Sequence, residues 1–134
     1  RLYFVTAPLA EPLYLAGPPR LELRSTISTP DADFSAVLYD WSDGNLIEVS
    51  DGVLRARYRD GSGRPSLATP GEPLHLDIGF WARAYEFQAG HQVVLAITAT
   101  GALAPATSPR CSTRGDRRHL LTRNSPPPSA LPRS

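Results

Sequence analysis

Short runs in which apolar residues alternate with polar ones recur along this chain, and they constrain its fold most strongly. Between Leu74 and Phe80 every second residue is apolar, so a strand there would bury one face and expose the other. Such runs follow one another at spacings of about 8–12 residues, with turn residues between them. The chain also contains 14 prolines, which favour strands and turns over helices. The pattern predicts an all-β, antiparallel sandwich.

Two Asp-Gly pairs mark predicted hairpin turns. Asp43-Gly44 precedes a predicted strand at 46–49, and Asp51-Gly52 precedes a strand that continues to residue 59. Glycine adopts the positive φ angles of such turns without steric cost, so both pairs are typical of tight hairpins.

The strand after Asp51-Gly52 is predicted to carry a cationic face. Its three arginines alternate with apolar residues and therefore lie on one side: Arg55, Arg57 and Arg59. We expect these arginines to pair with acids on neighbouring strands, since opposite charges across a sheet attract. The candidate acids are Glu22, Glu48 and Asp77. An anion site or a docking face is the alternative interpretation of the same three arginines.

Four sequence blocks occur together in an order and spacing that identify a family. The blocks are Val5-Thr6-Ala7-Pro8-Leu9, the segment 30–40, the segment 51–59, and Phe87-Gln88-Ala89-Gly90-His91-Gln92. Across the first hundred residues, the chain resembles the C-terminal non-catalytic domain of the X-Pro dipeptidyl-peptidase and cocaine esterase family of serine hydrolases. The resemblance implies a jelly-roll β-sandwich, similar to galactose-binding domains, attached behind an α/β-hydrolase catalytic domain.

The composition changes after residue 100, and we place the sandwich at 1–100 and a tail at 101–134. The tail contains six of the 14 prolines and no aromatic residue, so it can bury little apolar surface for the entropy it would lose. We expect it to be largely disordered or to contain a degraded last strand. The body has eight arginines against twelve acids and the tail six against one. The formal net charge of +1 argues against general nucleic-acid binding.

Several features limit the classes of protein to which the chain can belong. No apolar run approaches the length of a membrane span or a signal sequence, so no membrane partner is predicted. The single cysteine, Cys111, cannot form an internal disulfide. Because the sequence contains no Met, we expect the chain to begin inside a longer reading frame. Nothing in the sequence predicts a cellular location.

No catalytic residue is predicted in this chain. A hydrolase nucleophile needs Gly-x-Ser-x-Gly between a strand and a helix, and Gly61-Ser62-Gly63 has neither that spacing nor a helix after it. The resemblance implies that the catalytic residues lie on the other domain. We therefore predict no catalytic or cofactor-binding residues here, and no cofactor.

Histidines and clustered aspartates are the candidate ligands for a metal site. His75, His91 and His119 do not stand at ligand spacings, and His91 is predicted to make a loop-to-strand hydrogen bond, with substrate contact as the alternative. Four acids raise the alternative of calcium: Asp31, Asp33, Asp40 and Asp43. Because calcium needs more oxygen ligands than this segment supplies, we favour structural roles and predict no metal.

The predicted function is that of an accessory domain that packs against the hydrolase catalytic domain and contributes to its substrate cleft or to an oligomer interface. Four aromatic residues are the predicted interface: Trp41, Phe80, Trp81 and Tyr85. The alternative is a stand-alone carbohydrate-binding jelly roll, whose aromatic platforms would be Tyr39, Trp41, Trp81 and Tyr85. The sequence does not distinguish a peptidase from an esterase as the parent enzyme.

Overall fold

The computed structural model describes residues 1–101, 103–105 and 110–113. Ten strands occur in this part of the chain, with the following bounds: β1 Leu2–Val5, β2 Leu13–Gly17, β3 Pro19–Ile27, β4 Asp33–Ser42, β5 Asn45–Arg55, β6 Leu74–Gly79, β7 Arg83–Phe87, β8 Gln92–Ala99, β9 Leu103–Pro105 and β10 Arg110–Thr113. One 3₁₀ turn, Ala56–Tyr58, accompanies them. No helix within the described ranges is long and apolar enough to cross a membrane. The all-β prediction is confirmed.

The strands form antiparallel sheets that share one core. The largest sheet has the order β1-β8-β4-β5, so β4 and β8 are central and β5 is an edge strand. A second sheet has the order β10-β3-β6, and β9 pairs with another stretch of β3. Strands β2 and β7 pair with each other. Inward side chains from all of these sheets meet in one hydrophobic cluster, as in the predicted antiparallel sandwich.

The period-two pattern explains how this core forms. Every second residue of β3 and of β4 is buried. Phe34, Ala36 and Leu38 on β4 are at most 1% exposed, and Leu21 and Leu23 on β3 are fully buried. Burial of one large apolar side chain contributes about 1.5–3 kcal/mol. The alternating residues therefore supply the free energy that holds the sheets together.

The turn between β4 and β5 is formed by Asp43 and Gly44, as predicted. Their φ angles are 48° and 81°. A two-residue hairpin of this type needs positive φ at both positions, which Asp tolerates and Gly adopts freely. The sequence signal and the structure therefore agree at this hairpin.

The second predicted turn, at Asp51-Gly52, is wrong. Strand β5 continues through both residues, and Gly52 pairs with Ala36 on β4. Glycine is required here for a different reason, because a Cβ atom on Gly52 would lie only 2.4 Å from the carbonyl oxygen of Gly79. The missing side chain lets β5 approach the end of β6 closely.

Strand β5 also ends earlier than the alternation of arginines predicts. Arg55 is its last residue, and Ala56 is fully buried with its N–H donating to the carbonyl of Ala32 at 2.8 Å. The carboxylate of Asp31 then accepts a hydrogen bond from the backbone N–H of Arg57 at 3.0 Å. Side-chain acceptors of this kind compete with strand pairing. A continuous strand with three arginines on one face therefore does not form.

Strand β10 lies beyond residue 100, where we place the end of the sandwich. It pairs with β3, and Cys111 is fully buried in the core opposite Leu21. Burial raises the pKa of the Cys111 thiol to about 12. The thiol is therefore almost entirely protonated, and unreactive, at neutral pH. Disorder is predicted for the whole of 101–134, and within that tail residues 102, 106–109 and 114–134 lie outside the described residues.

Candidate docking surface

Part of the outward face of the β1-β8-β4-β5 sheet is apolar, although it points away from the core, while the rest of that face carries charged residues: Asp33, Glu48, Asp51 and Arg55. Val5 and Val94 lie opposite each other in the register of β1 and β8 and are only 4% and 0% exposed. Four partly buried residues pack against them: Tyr3, Tyr39, Trp41 and Leu46. We refer to these six residues as the outer cluster. Since alternate residues of the same strands face the core, this sheet carries apolar side chains on both faces.

The same outward face continues as a shallow trough. Ser35 on β4 pairs with Val53 on β5 and with Thr98 on β8, so these three residues form one row across the sheet. They help to line a depression of about 440 Å³. Val53 is 74% exposed there. The ion pair of Asp33 and Arg55 also lines this depression, so the trough combines apolar and charged side chains beside the aromatic cluster.

The outward face of β3 and β6 is charged instead. Its positions alternate with those that face the core: Arg20, Glu22, Arg24, His75 and Asp77. Arg20 and Asp77 form an ion pair across the two strands. His75 is exposed on this face, as predicted, opposite Arg24. This face is suited to contact with water, which leaves the outer cluster as the candidate docking surface.

Trp81 lies at the edge of the four-stranded sheet and is 75% exposed. Two hydrogen bonds fix its backbone to β5: its N–H donates to the carbonyl of Asp51 at 3.1 Å, and its carbonyl accepts from the hydroxyl of Ser50 at 2.7 Å. Trp81 lines a groove of about 420 Å³ together with Glu48, Asp51 and Arg83. A rigid backbone therefore holds an exposed indole beside charged side chains.

The structure places the four predicted interface residues in different environments. Trp41 belongs to the outer cluster, and Trp81 is exposed at the sheet edge. Phe80 is only 5% exposed and packs in the core, where no docked partner can reach it. Tyr85 is partly buried and packs against the core. Trp41 and Trp81 are thus the two that an adjoining domain could contact, and the interface itself stays a prediction.

A buried polar network around Asp40 was missed by the sequence analysis. Asp40 occupies the next inward position of β4 after Leu38 and is 3% exposed. It accepts a hydrogen bond from the hydroxyl of Tyr85 at 2.7 Å, and Nδ1 of His91 lies 2.9 Å from its other oxygen. The loop-to-strand contact predicted for His91 is therefore confirmed. The signal was present in the sequence, since the alternation 34, 36, 38 continues to residue 40.

This environment changes the acidity of Tyr85. Burial, followed by the hydrogen bond and the charge of Asp40, raises the pKa of Tyr85 to about 12. The ring of Tyr85 also makes an edge-to-face contact with Phe87, with centroids 4.9 Å apart. The network joins β4, β7 and the turn before β8, so its role in the structure is to hold these elements together.

Two of the acids considered for calcium pair with arginines at the end of β5. Asp33 and Arg55 are opposite each other in register and form two hydrogen bonds, at 2.6 and 3.1 Å. Asp31 accepts a hydrogen bond from Nε of Arg57 at 2.6 Å. Burial raises the pKa of Asp31, but the hydrogen bonds and charge of Arg57 outweigh burial and hold that pKa below its ordinary value.

The predicted partners of these arginines are therefore wrong. We expected Glu22, Glu48 or Asp77, but β5 pairs with β4, and the first residue of β4 is an aspartate. Within the described residues, no three His, Cys, Asp or Glu side chains come together as a metal-binding group. The hydroxyl of Ser62 donates to Asp60 at 2.8 Å in an exposed loop, far from the strand-to-helix geometry that a hydrolase nucleophile requires.

Comparison with known proteins places this architecture in a family. The sequence matches the family described as the X-Pro dipeptidyl-peptidase C-terminal non-catalytic domain over residues 1–125. The chain belongs to this family. The chain is similar to part of the cocaine esterase of Rhodococcus sp. (strain MB1 Bresler). It is 31% identical over 100 residues, covering 74% of this chain and 17% of the esterase.

Solved structures agree with this assignment. The chain is similar to part of an alpha-amino acid ester hydrolase, with a TM-score of 0.69 and 31% identity. It is also similar to part of an aminopeptidase from a marine sediment Thaumarchaeota archaeon, with a TM-score of 0.68 and 27% identity. Both matches cover 74% of this chain and 18% of the other chain. The chain thus spans less than a fifth of each of these larger proteins.

Proposed function

We propose that this chain is the accessory C-terminal domain of a serine hydrolase of the X-Pro dipeptidyl-peptidase and cocaine esterase type. In that protein the domain packs against the α/β-hydrolase catalytic domain and helps to form its substrate cleft or an interface between subunits. The parent reaction is acyl transfer to a serine, which either cleaves peptides after a penultimate proline or hydrolyses small esters and amides.

The outer cluster is the observation that carries this proposal. Antiparallel sheets that face water on one side normally place polar residues there, as β3 and β6 do. The four-stranded sheet instead carries the partly exposed Tyr3, Tyr39 and Trp41 on its outward face. Aromatic residues are enriched at protein interfaces, and large apolar patches on soluble domains mark contact surfaces. The much greater length of the relatives supports a catalytic domain as the partner.

The isolated chain should have no hydrolase activity of its own, because the nucleophile of the proposed parent lies on another domain. We expect no release of nitroaniline from X-Pro nitroanilides, and none of nitrophenol from nitrophenyl esters, above the background rate. Turnover that a serine-directed fluorophosphonate abolishes would contradict the accessory role.

Docking through the outward face is tested by Val53→Lys, introduced both in the isolated chain and in a full-length hydrolase that contains it. Because Val53 is 74% exposed, the isolated domain should lose no more than about 0.5 kcal/mol of stability. In the full-length protein an unpaired ammonium buried against the catalytic domain costs several kcal/mol. We therefore expect a lower melting temperature and reduced activity only in that protein.

Ala16→Lys is the matched control, because Ala16 is also an exposed strand residue and the substitution adds the same charge. It lies on β2, which contributes no residue to the outer cluster. Equal effects of Val53→Lys and Ala16→Lys on the full-length hydrolase, or no effect of either, would show that the outward face of the four-stranded sheet is not the docking surface.

A further inference from the structure

The groove beside Trp81 has the chemistry to hold a cationic side chain. We propose that it binds an arginine side chain presented by the docked catalytic domain, with the guanidinium over the indole of Trp81 and paired with Glu48 and Asp51. This inference rests on the proposed function, since it takes the catalytic domain as the partner. One contact in that interface would then lie at Trp81, and the partner's side chain there would be positively charged.

Trp81 combines a fixed backbone with high exposure, which suits such a contact. Its backbone N–H and carbonyl both bond to β5, yet the residue is 75% exposed. A fixed backbone lowers the conformational entropy that a partner must remove on binding. Tryptophan is also the aromatic side chain that attracts a cation most strongly, and arginine is the commonest cation in such contacts.

The carboxylates of the groove supply the complementary charge. Asp31, Asp33 and Asp77 each form an ion pair with an arginine. Glu48 and Asp51 form none with any residue that the structure describes.

Arg83 is the third charged residue of the groove. Its Nε donates to the carbonyl of Val49 at 2.8 Å, and within the described ranges it makes no ion pair with Glu48 or Asp51. The groove therefore carries one net negative charge at neutral pH, which favours a cationic occupant.

The groove is also continuous with the outer cluster. Glu48 lies opposite Tyr39 in the register of β4 and β5, and Leu46 is two positions earlier on the same strand. A domain seated on Tyr39 and Leu46 would therefore extend over Glu48 and reach Trp81. Because the groove adjoins the outer cluster and is negatively charged, we expect its occupant to be part of the docked domain rather than a free small molecule.

The test uses this chain with Trp41→Phe, which leaves Trp81 as its single tryptophan. N-acetyl-arginine amide is titrated into the millimolar range while the indole N–H signal of Trp81 is followed by NMR. N-acetyl-citrulline amide is the neutral control of nearly the same shape. We expect a saturable shift with the arginine compound and a much weaker one with citrulline. Glu48→Gln and Asp51→Asn should each weaken binding about two- to fivefold, as for exposed ion pairs.

Glu22→Gln, on the charged outward face of β3, is the control for a general change in charge and should leave the titration unchanged. Circular dichroism confirms that each variant remains folded. No saturable shift, or equal shifts with arginine and citrulline, would overturn the proposed cation site. That result would leave docking through the outer cluster intact, because Val53→Lys tests docking separately.

Discussion

The two large sheets contribute to the same core but differ on the faces that point away from it. Each outward face carries an ion pair, Arg20–Asp77 on β3 and β6 and Asp33–Arg55 at one end of the four-stranded sheet. Within the described residues, only the four-stranded sheet also packs an apolar cluster on its outward face, where Val94 is fully buried. In both sheets alternate residues face the core, and this pattern determines the fold. The outward residues indicate what each face contacts. The β3-β6 face contacts water, and in our proposal the face of the four-stranded sheet contacts another protein domain.

A buried aromatic residue should stabilise the isolated domain, whereas an exposed aromatic residue beside the proposed docking surface should not. Phe80 and Trp81 are adjacent in sequence but 5% and 75% exposed. We expect Phe80→Ala to lower the free energy of unfolding by about 3–5 kcal/mol, the usual cost of truncating a buried aromatic residue. Trp81→Ala should change it by no more than about 0.5 kcal/mol. Urea denaturation followed by circular dichroism measures both values.

A loss of several kcal/mol in Trp81→Ala would place Trp81 in the core and remove it from the docking surface. Equal small losses in both variants would show that Phe80 is not a core residue. Either result would break the distinction between inward and outward residues on which the proposal depends.

A smaller effect is expected at the buried network of Asp40. Tyr85→Phe removes the hydroxyl that donates to this carboxylate and leaves His91 as its one side-chain hydrogen-bond partner among the described residues. Hydrogen bonds to charged groups contribute about 1.5–3 kcal/mol, so a destabilisation of this size is expected near neutral pH. Thermal or urea unfolding of the isolated chain checks it.

The raised pKa of Tyr85 also gives a dependence on pH. Its ordinary value of 10.0 applies to the unfolded chain, whereas the folded value is about 12. The folded state favours the protonated phenol, so this contribution is complete below about pH 10 and is lost as the pH rises to 12. In that interval the stability of the unmodified chain should fall more steeply than that of Tyr85→Phe. Parallel pH profiles would contradict the assigned contact.

Much of the fold was predictable because the alternating runs are long and regular. The periodicity of β3, β4 and β6 identifies which residues face the core, and Asp43-Gly44 is a strong local turn signal. Phe80 is at the end of an alternating run, where a residue can face either the core or a partner. Only the packing of the folded chain decides between these positions.

Other features depend on contacts between segments that are distant in sequence. The glycine at position 52 reads as a turn signal, but it is explained by the approach of Gly79 in another sheet. Cys111 lies among polar residues, yet its pairing with β3 buries it. Asp31 and Arg57 are 26 positions apart, and their hydrogen bonds end the arginine-rich strand. No local pattern contains this information.

The central claim is that the four-stranded sheet, rather than the β3-β6 sheet, faces the catalytic domain. Hydroxyl-radical footprinting of the isolated chain and of the full-length hydrolase, followed by mass spectrometry, tests it most directly. We predict that oxidation of Tyr39, Trp41 and Trp81 decreases in the full-length protein, whereas oxidation of His75 on the charged face is unchanged. Protection of His75 with no protection of Trp41 would contradict the account.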